Sequence, residues 1–337
     1  MSEPRKHHYV PVCYLKQWAD TEDRRLCEHK LIPGGYGVKA RRTSPDSTGY
    51  QIDLYRVPGV PQAIAQDFEK RFMRLVDTDA ARALEQIIAG QTDNWSAPLR
   101  SGWTQFILSL LFRNPEAVAT IKGHIVQIWE EGAKPLRADY AARRRPGDPE
   151  TFEEFLARAQ IDAANFLASV IDNDRVGQTV FEMKWSRVDL SQSTHQLLTS
   201  DRPIDMPLGL ADPMAYISLP VSPRLLFVAA HKQEMADTLR NANPTDVVRK
   251  NNQCVIEQAR RFVWGSTDSQ ITFVRKNFGK LPDRVILTDQ QRRRPSRPLW
   301  ARSNKPPERF GRRPTPPDAS WLWASFSRQL ATILLPN

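Results

Sequence analysis

The chain has 337 residues, of which 40% are hydrophobic and 26% charged, and a formal net charge of +10. This length can bury a large core, and no apolar run reaches the roughly 18 residues of a membrane-spanning helix. The chain starts Met-Ser-Glu-Pro-Arg-Lys, without an apolar leader, and its 3 cysteines are too few and too scattered for a disulfide framework. We therefore expect a cytoplasmic protein without a membrane span.

Residues 6–18 combine two histidines with aromatic residues and a helix start. Proline fixes its own φ and disfavours helix in the residue before it, so we expect an extended arm up to Pro11 and a short helix after it. In such an arm His7 and His8 face opposite sides. The helix should dock on the core and hold the arm through an apolar face of Tyr14, Leu15 and Trp18.

Residues 24–56 show partial alternation and a Pro-Gly-Gly turn, which predicts a small sheet or ribbon beside the arm. From about residue 62 to 172, apolar residues recur at helical spacing, which predicts a helical bundle. Arg113 ends a strongly apolar helix, and we interpret it as a helix-end or interhelix ion-pair residue. The cysteines are interpreted as structural, because no standard zinc spacing links Cys13, Cys27 and His29.

Strand patterns return over residues 178–230, including weak alternation over 180–185 and an apolar run over 225–230 that is typical of a central strand. Residues 195–200 lead directly into Asp201, in a loop that Pro203 stiffens. A carboxylate at that position is either a catalytic or binding group or a turn cap that accepts backbone N–H groups. The sequence does not distinguish between these two roles of Asp201.

Pro244 should open a further helix that carries Asn251 and Asn252 on partly apolar stripes. A buried asparagine must find hydrogen-bond partners. We therefore expect Asn252 to bind the Ser200-Asp201 loop.

The positive charge is concentrated near the C-terminus. Residues 290–313 hold nine basic side chains against one acid, so the rest of the chain carries only about +2 of the +10. Many prolines in the run favour an extended tail, either a solvated linker or an electrostatic arm for nucleic acid or an acidic partner. The candidate nucleic-acid-binding residues are Arg292, Arg293, Arg294 and Arg297.

Three sequence blocks resemble one known family. The first block is His7-His8-Tyr9-Val10-Pro11, followed by Tyr14-Leu15 and Trp18. The second block is Leu198-Thr199-Ser200-Asp201-Arg202-Pro203 together with residues 218–223. The third block is Asn251-Asn252 together with Ala259-Arg260-Arg261-Phe262-Val263. Together they resemble an uncharacterised, largely bacterial family called domain of unknown function 4238, over roughly residues 5–265. The resemblance implies kinship of fold and no particular activity.

The patterns together predict an α+β fold in which N- and C-terminal segments share a mixed sheet around the inserted bundle. We expect one domain over 1–280, a basic Pro/Arg-rich linker or tail over 281–319, and an apolar segment over 320–337 that docks on the domain or on a partner.

Two functions remain open. One is a binding or interaction module, for example in bacterial defence or regulation, that contacts nucleic acid or a protein partner. The alternative is a hydrolase of the nuclease or phosphodiesterase type, in which His7 and His8 shuttle protons, Asp201 orients a histidine or holds a divalent metal, and Asn252 completes the site. The sequence leaves a cofactor, the metal and the oligomeric state open.

Overall fold

The computed structural model describes a set of separate ranges along the chain, residues 5–32, 34, 37–56, 72–91, 95–123 and 171–282. These ranges leave out much of the expected bundle, the whole segment 320–337 and the four tail arginines. Those predictions, together with the domain boundaries, stay predictions.

The described strands are short. In chain order they are β1 Lys6–His8, β2 Leu26–Leu31, β3 Val38–Thr43, β4 Tyr50–Ile52, β5 Lys184–Asp189, β6 Thr199–Ser200, β7 Tyr216–Ser222, β8 Leu225–Ala230 and β9 Phe262–Gly265. The described α-helices are α1 Val12–Leu15, α2 Arg74–Ile88, α3 Ala97–Phe112, α4 Asp174–Glu182, α5 Gln233–Asn241, α6 Pro244–Gln258 and α7 Ile271–Asn277. Residues 115–123 are also helical.

Segments from both ends of the described chain share a sheet, as expected for this α+β fold. The order is β3-β2-β9-β6, so β2 from the N-terminal part pairs with β9 from the C-terminal part. Instead of one mixed sheet, the described strands form three sheets whose pairings are all antiparallel. Two of these pairings, β2–β3 and β7–β8, are hairpins of consecutive strands, and the other four join strands that are farther apart in the sequence.

The N-terminal arm is held as expected. Pro11 is the N-cap of α1 with extended backbone angles, and the arm's Tyr9 and Val10 donate their backbone N–H groups to the carbonyl of Gly49. Gly49 has a φ of +65°, and a Cβ there would lie 3.2 Å from the Leu15 side chain. A left-handed turn at glycine therefore brings the arm and the β4 segment together.

The aromatic face of α1 and the turn after it docks on the core. Tyr14 and Trp18 are both fully buried. The Tyr14 hydroxyl donates to the carbonyl of Pro220, and Trp18 Nε1 donates to that of Leu197. These bonds satisfy the polar ends of two buried rings, as aromatic residues of this kind require.

The main core forms where α3 meets β7 and β8. The helix buries apolar side chains around most of its circumference, including Trp103, Phe106 and Ile107. Strand β8 is fully buried and lies between β5 and β7, which confirms the expected central strand. No helix among the described residues has the length and apolar character needed to cross a membrane.

Two strand predictions in the middle of the chain need correction. Residues up to Glu182 continue α4, whose start is capped because the Asn173 side chain accepts the N–H of Val176, so the strand begins only at Lys184. Val176 and Val180, four residues apart, bury one face of this helix, a helical period that the apparent alternation hid. The strand expected over 195–200 is shortened to β6, whose two residues pair with β9.

Candidate functional site

Asp201 follows β6 directly and lies in the interior, where the residue is 3% exposed. Its carboxylate accepts backbone N–H groups from Arg260 at 3.0 Å and from Arg261 at 2.6 Å. Burial raises the pKa of Asp201 to about 6, although these two N–H groups and the nearby Arg202 favour the charged form. The carboxylate thus ties the end of one strand to the start of another.

The three sequence blocks meet at this carboxylate. Tyr9 from the first block is buried, and its hydroxyl lies close enough to Asp201 and Arg261 for their charges to act on it. Burial is the main reason that the pKa of Tyr9 is raised. The hydroxyl has no hydrogen-bond partner among the described residues. Segments almost 200 residues apart in the sequence therefore share one polar junction.

A partly exposed ion-pair network covers the junction. Glu116, in the helical stretch after α3, accepts from Arg261 Nε at 3.1 Å and from Arg202 at 3.4 Å. Arg261 also donates to the Gln51 side chain at 2.9 Å, which connects the network to β4. The Glu116 carboxylate therefore links two guanidinium groups.

His7 lies on the inner side of the arm and is 2% exposed. Its Nδ1 accepts the backbone N–H of Tyr55 at 3.4 Å, and its ring stacks on the Tyr55 ring with centroids 5.1 Å apart. Burial lowers the pKa of His7, and the opposing effect of Asp53 is smaller. The imidazole is therefore held as a neutral packing group at neutral pH.

His8 lies on the opposite side of the arm, as the alternation predicts. Its Nε2 lies 3.2 Å from the carbonyl oxygen of Asp46, a contact in which the ring N–H donates, and its ring meets the edge of Tyr50. Burial lowers the pKa of His8 more than the Asp46 carbonyl raises it. The His8 ring therefore contacts Asp46, in the turn before β4, and Tyr50, the first residue of β4.

Asn252 lies on α6 and is 1% exposed. Its Oδ1 accepts the backbone N–H of Leu198, and its Nδ2 donates to the carbonyl of Gln196 and to the Gln270 side chain. It therefore binds the residues that lead into β6, just before the Ser200-Asp201 pair that we expected it to contact.

The four candidate catalytic residues have different surroundings. No described hydrogen bond or ion pair joins any two of His7, His8, Asp201 and Asn252. Within the described ranges, no group of three or more His, Cys, Asp or Glu side chains could hold a metal ion. Cys27 and His29 do approach each other, at 3.9 Å, inside the sheet.

A second polar surface extends from one face of the four-stranded sheet to the β1–β4 pair. Lys39, Lys30 and Phe262 are directly opposite one another on three neighbouring strands. Arg41 lies on the same face two residues after Lys39, and it interacts electrostatically with Tyr50 of β4. We call this surface the cationic rim, and its members are Lys6, Lys30, Lys39, Arg41, Tyr50 and Phe262.

Half of the positive charge of the cationic rim is uncompensated among the described residues, while Asp46 lies near Lys6 and Glu28 pairs with Arg41. Its four cationic side chains belong to exposed residues. Arg41 pairs with the buried carboxylate of Glu28 at 2.7 Å, which also accepts from Thr48. Neither Lys30 nor Lys39 makes an ion pair with a described residue.

Sequence reasoning did not identify these two surfaces. Tyr9, Arg202 and Arg261 stood within the three blocks, but nothing local connects them to Glu116. The alternation of Lys39 and Arg41 along β3 was the available signal for the cationic rim, because residues two apart on a strand share a face. Cross-strand register supplies the remaining members.

Comparison with known proteins gives one result. No curated protein and no solved structure gives a significant match to the chain. A family model described as "Protein of unknown function (DUF4238)" matches residues 6–269. This range contains the arm, the junction and the cationic rim, and because it covers most of the 337 residues the chain belongs to the DUF4238 family.

Proposed function

We propose that the protein is a nucleic-acid-binding module and that the cationic rim is its contact surface. The observation that carries this proposal is the row of Lys39, Lys30 and Phe262 across three strands, continued by Arg41 and Tyr50. Exposed cations interleaved with aromatic rings on a sheet face suit a phosphate backbone with bases beside it.

The electrostatics support this surface. Four exposed cations lie near two carboxylates, the buried Glu28 that pairs with Arg41 and the exposed Asp46 whose charge acts on Lys6, which leaves a local charge of about +2. Cations without internal partners can neutralise phosphates, and the release of condensed counterions then drives binding. Because Glu28 holds Arg41 in place, the guanidinium is already oriented when a ligand arrives.

The hydrolase alternative has weaker support. A proton shuttle needs a base within hydrogen-bond reach of substrate. His7 and His8 instead contact Tyr55 and Asp46, and Asp201 accepts two backbone N–H groups in the interior. In these surroundings the side chains support the chain around them.

The test is a binding titration of the full chain with fluorescently labelled single- and double-stranded oligonucleotides of about 20 nucleotides, longer than the roughly 4–16 that one small module covers. The variant Lys30→Ala/Lys39→Ala should lower the slope of log affinity against log salt by about 1.4 for single strands and about 1.8 for duplexes, because two phosphate contacts are lost. The matched control is Lys232→Ala/Lys250→Ala, which removes two exposed lysines, one at the N-cap of α5 and one in α6.

Three results would overturn the proposal. The first is no binding of either oligonucleotide at low salt, and the second is an equal loss in the control and the rim variant. The third is equally tight binding of polyglutamate, which carries negative charge without bases and would identify the surface as a site for acidic proteins.

The basic tail is a separate part of this proposal. We expect Arg292, Arg293, Arg294 and Arg297 to add electrostatic affinity, because positively charged extended segments attract phosphates without fixed geometry. Replacing all four by alanine in the full chain should lower the salt slope further. An unchanged slope would assign the tail to the role of a linker.

A further inference from the structure

Two members of the cationic rim repeat one arrangement. Lys6 Nζ lies 4.8 Å from the centroid of the Tyr50 ring, and Lys30 Nζ lies 5.7 Å from that of Phe262. In both pairs the lysine belongs to an exposed residue, while the aromatic residue is half-buried. The two pairs are built on different sheets, so the repetition does not follow from one shared strand.

Each ring is also fixed by a second aromatic neighbour. Tyr50 meets the ring of His8 at an interplanar angle of 62°, with centroids 5.6 Å apart. Phe262 stacks on the buried Trp264 with centroids 5.5 Å apart and an interplanar angle of 20°. The rings are therefore held rigidly from inside, while each lysine has a flexible four-carbon stem.

Resting on the proposed function, we infer that the cationic rim binds single-stranded nucleic acid, with one base stacked on Tyr50 and another on Phe262 in place of the lysine ammonium groups. A base offers a larger flat π-face than an ammonium group, and stacking of this kind tolerates any base. The displaced Lys6 and Lys30 then move to the adjacent phosphates. The cations thus cover the rings in the unbound protein and neutralise the backbone in the complex.

A duplex cannot use these rings in the same way. Its bases are stacked on one another and present only their edges in the grooves. Reaching a base face requires unstacking and unpairing, which costs free energy that a single strand does not lose. The rings therefore favour single strands, whereas the lysines attract both forms.

The decisive comparison uses two single-stranded probes of equal length and charge, oligo-dT and an oligonucleotide in which every base is replaced by an abasic sugar. Each stacked base contributes enough that losing both should weaken binding at least about tenfold. This comparison needs no altered protein. A duplex of the same length is the third probe and should bind more weakly than oligo-dT at equal salt.

Variants locate the effect on the two rings. Tyr50→Leu and Phe262→Leu should reduce the preference for oligo-dT over the abasic probe, whereas Tyr50→Phe, which keeps the ring, should retain it. Phe273→Leu, which alters a half-buried ring on α7, is the matched control. Melting temperatures confirm that each variant is folded before it is compared.

The outcomes separate this inference from the proposed function. Equal affinity for oligo-dT and the abasic probe, with the salt slope still dependent on Lys30 and Lys39, would overturn stacking and leave electrostatic binding intact. Tighter binding of the duplex than of oligo-dT would also overturn stacking and leave electrostatic binding intact. Failure of all three probes to bind would overturn both.

Discussion

The buried carboxylate of Asp201 makes protein stability depend on pH in a direction that can be measured. Its pKa is raised to about 6, mainly by burial. A carboxyl whose pKa is higher in the folded than in the unfolded chain favours folding while it is protonated. This contribution is fully present below the unfolded pKa and is lost as pH rises through the folded pKa. The window for Asp201 therefore runs from about pH 4 to about pH 6.

The size of the effect follows from the two pKa values. With about 6 in the folded chain and about 3.9 in the unfolded chain, protonation adds about 1.4 kcal/mol to the free energy of unfolding at about pH 5 and almost nothing at about pH 7.5. The variant Asp201→Asn removes this titration. It also leaves one oxygen to accept the N–H groups of Arg260 and Arg261, a cost that does not change with pH.

The assay is urea unfolding of the parent and Asp201→Asn at these two pH values, followed by tryptophan fluorescence. The unfolding free energy of the parent minus that of the variant should fall by about 1.4 kcal/mol as pH rises from about 5 to about 7.5. Asp246→Asn, at an exposed residue of α6, serves as the control for the loss of one surface carboxylate. A constant difference, or one that grows with pH, would refute the reasoning, since growth would mean that the two N–H groups outweigh burial.

Three further variants test how much buried polar groups stabilise the fold, and the free energy of unfolding in urea is measured for each. Asn252→Ala should lower the free energy of unfolding by about 3 kcal/mol, because three hydrogen bonds to the chain before β6 and to Gln270 are lost. An unchanged urea midpoint would show that Asn252 does not anchor this part of the chain. Tyr14→Phe should lower the free energy of unfolding by about 2 kcal/mol, because the hydrogen bonds of the hydroxyl to Pro220 and Thr199 are lost while the ring stays. A change near zero would mean that the hydroxyl does not stabilise the core. Arg113→Met combined with Asp77→Asn, which removes both charges of the pair, should be neutral within about 1 kcal/mol or stabilising, because the buried guanidinium has no partner for Nε and one terminal nitrogen among the described residues. A loss above about 3 kcal/mol would show that the ion pair outweighs that burial.

Local sequence signals were enough for the parts of the fold that depend on neighbouring residues. Pro11 and Pro244 each open a helix, because proline fixes φ and removes only an N–H that the first turn leaves unpaired. The apolar run of β8 identified a central strand. Arg113 was expected in an ion pair at a helix end, and it pairs with Asp77 at 2.8 Å.

The candidate surfaces could not be predicted in this way, because both depend on contacts between distant segments. Lys30 meets Phe262 only through the register of β2 and β9, which local alternation does not fix. Glu116 meets Arg261 only because the helix after α3 packs beside the sheet. The sequence therefore identified residues such as Asp201 and Asn252, but it did not show whether their polar atoms face solvent or the chain itself.

This distinction changes what the histidine arm does. His8 binds the carbonyl of Asp46 and meets the edge of Tyr50, so it fixes a ring of the cationic rim from inside. His7, on the other side of the same strand, stacks on Tyr55. A histidine whose ring already contacts a backbone group and an aromatic neighbour is poorly placed to shuttle protons. In the proposed function His8 would hold the ring of Tyr50 rigid. β1 carries both histidines and pairs with β4, the strand that presents Tyr50, so the arm supports part of the cationic rim.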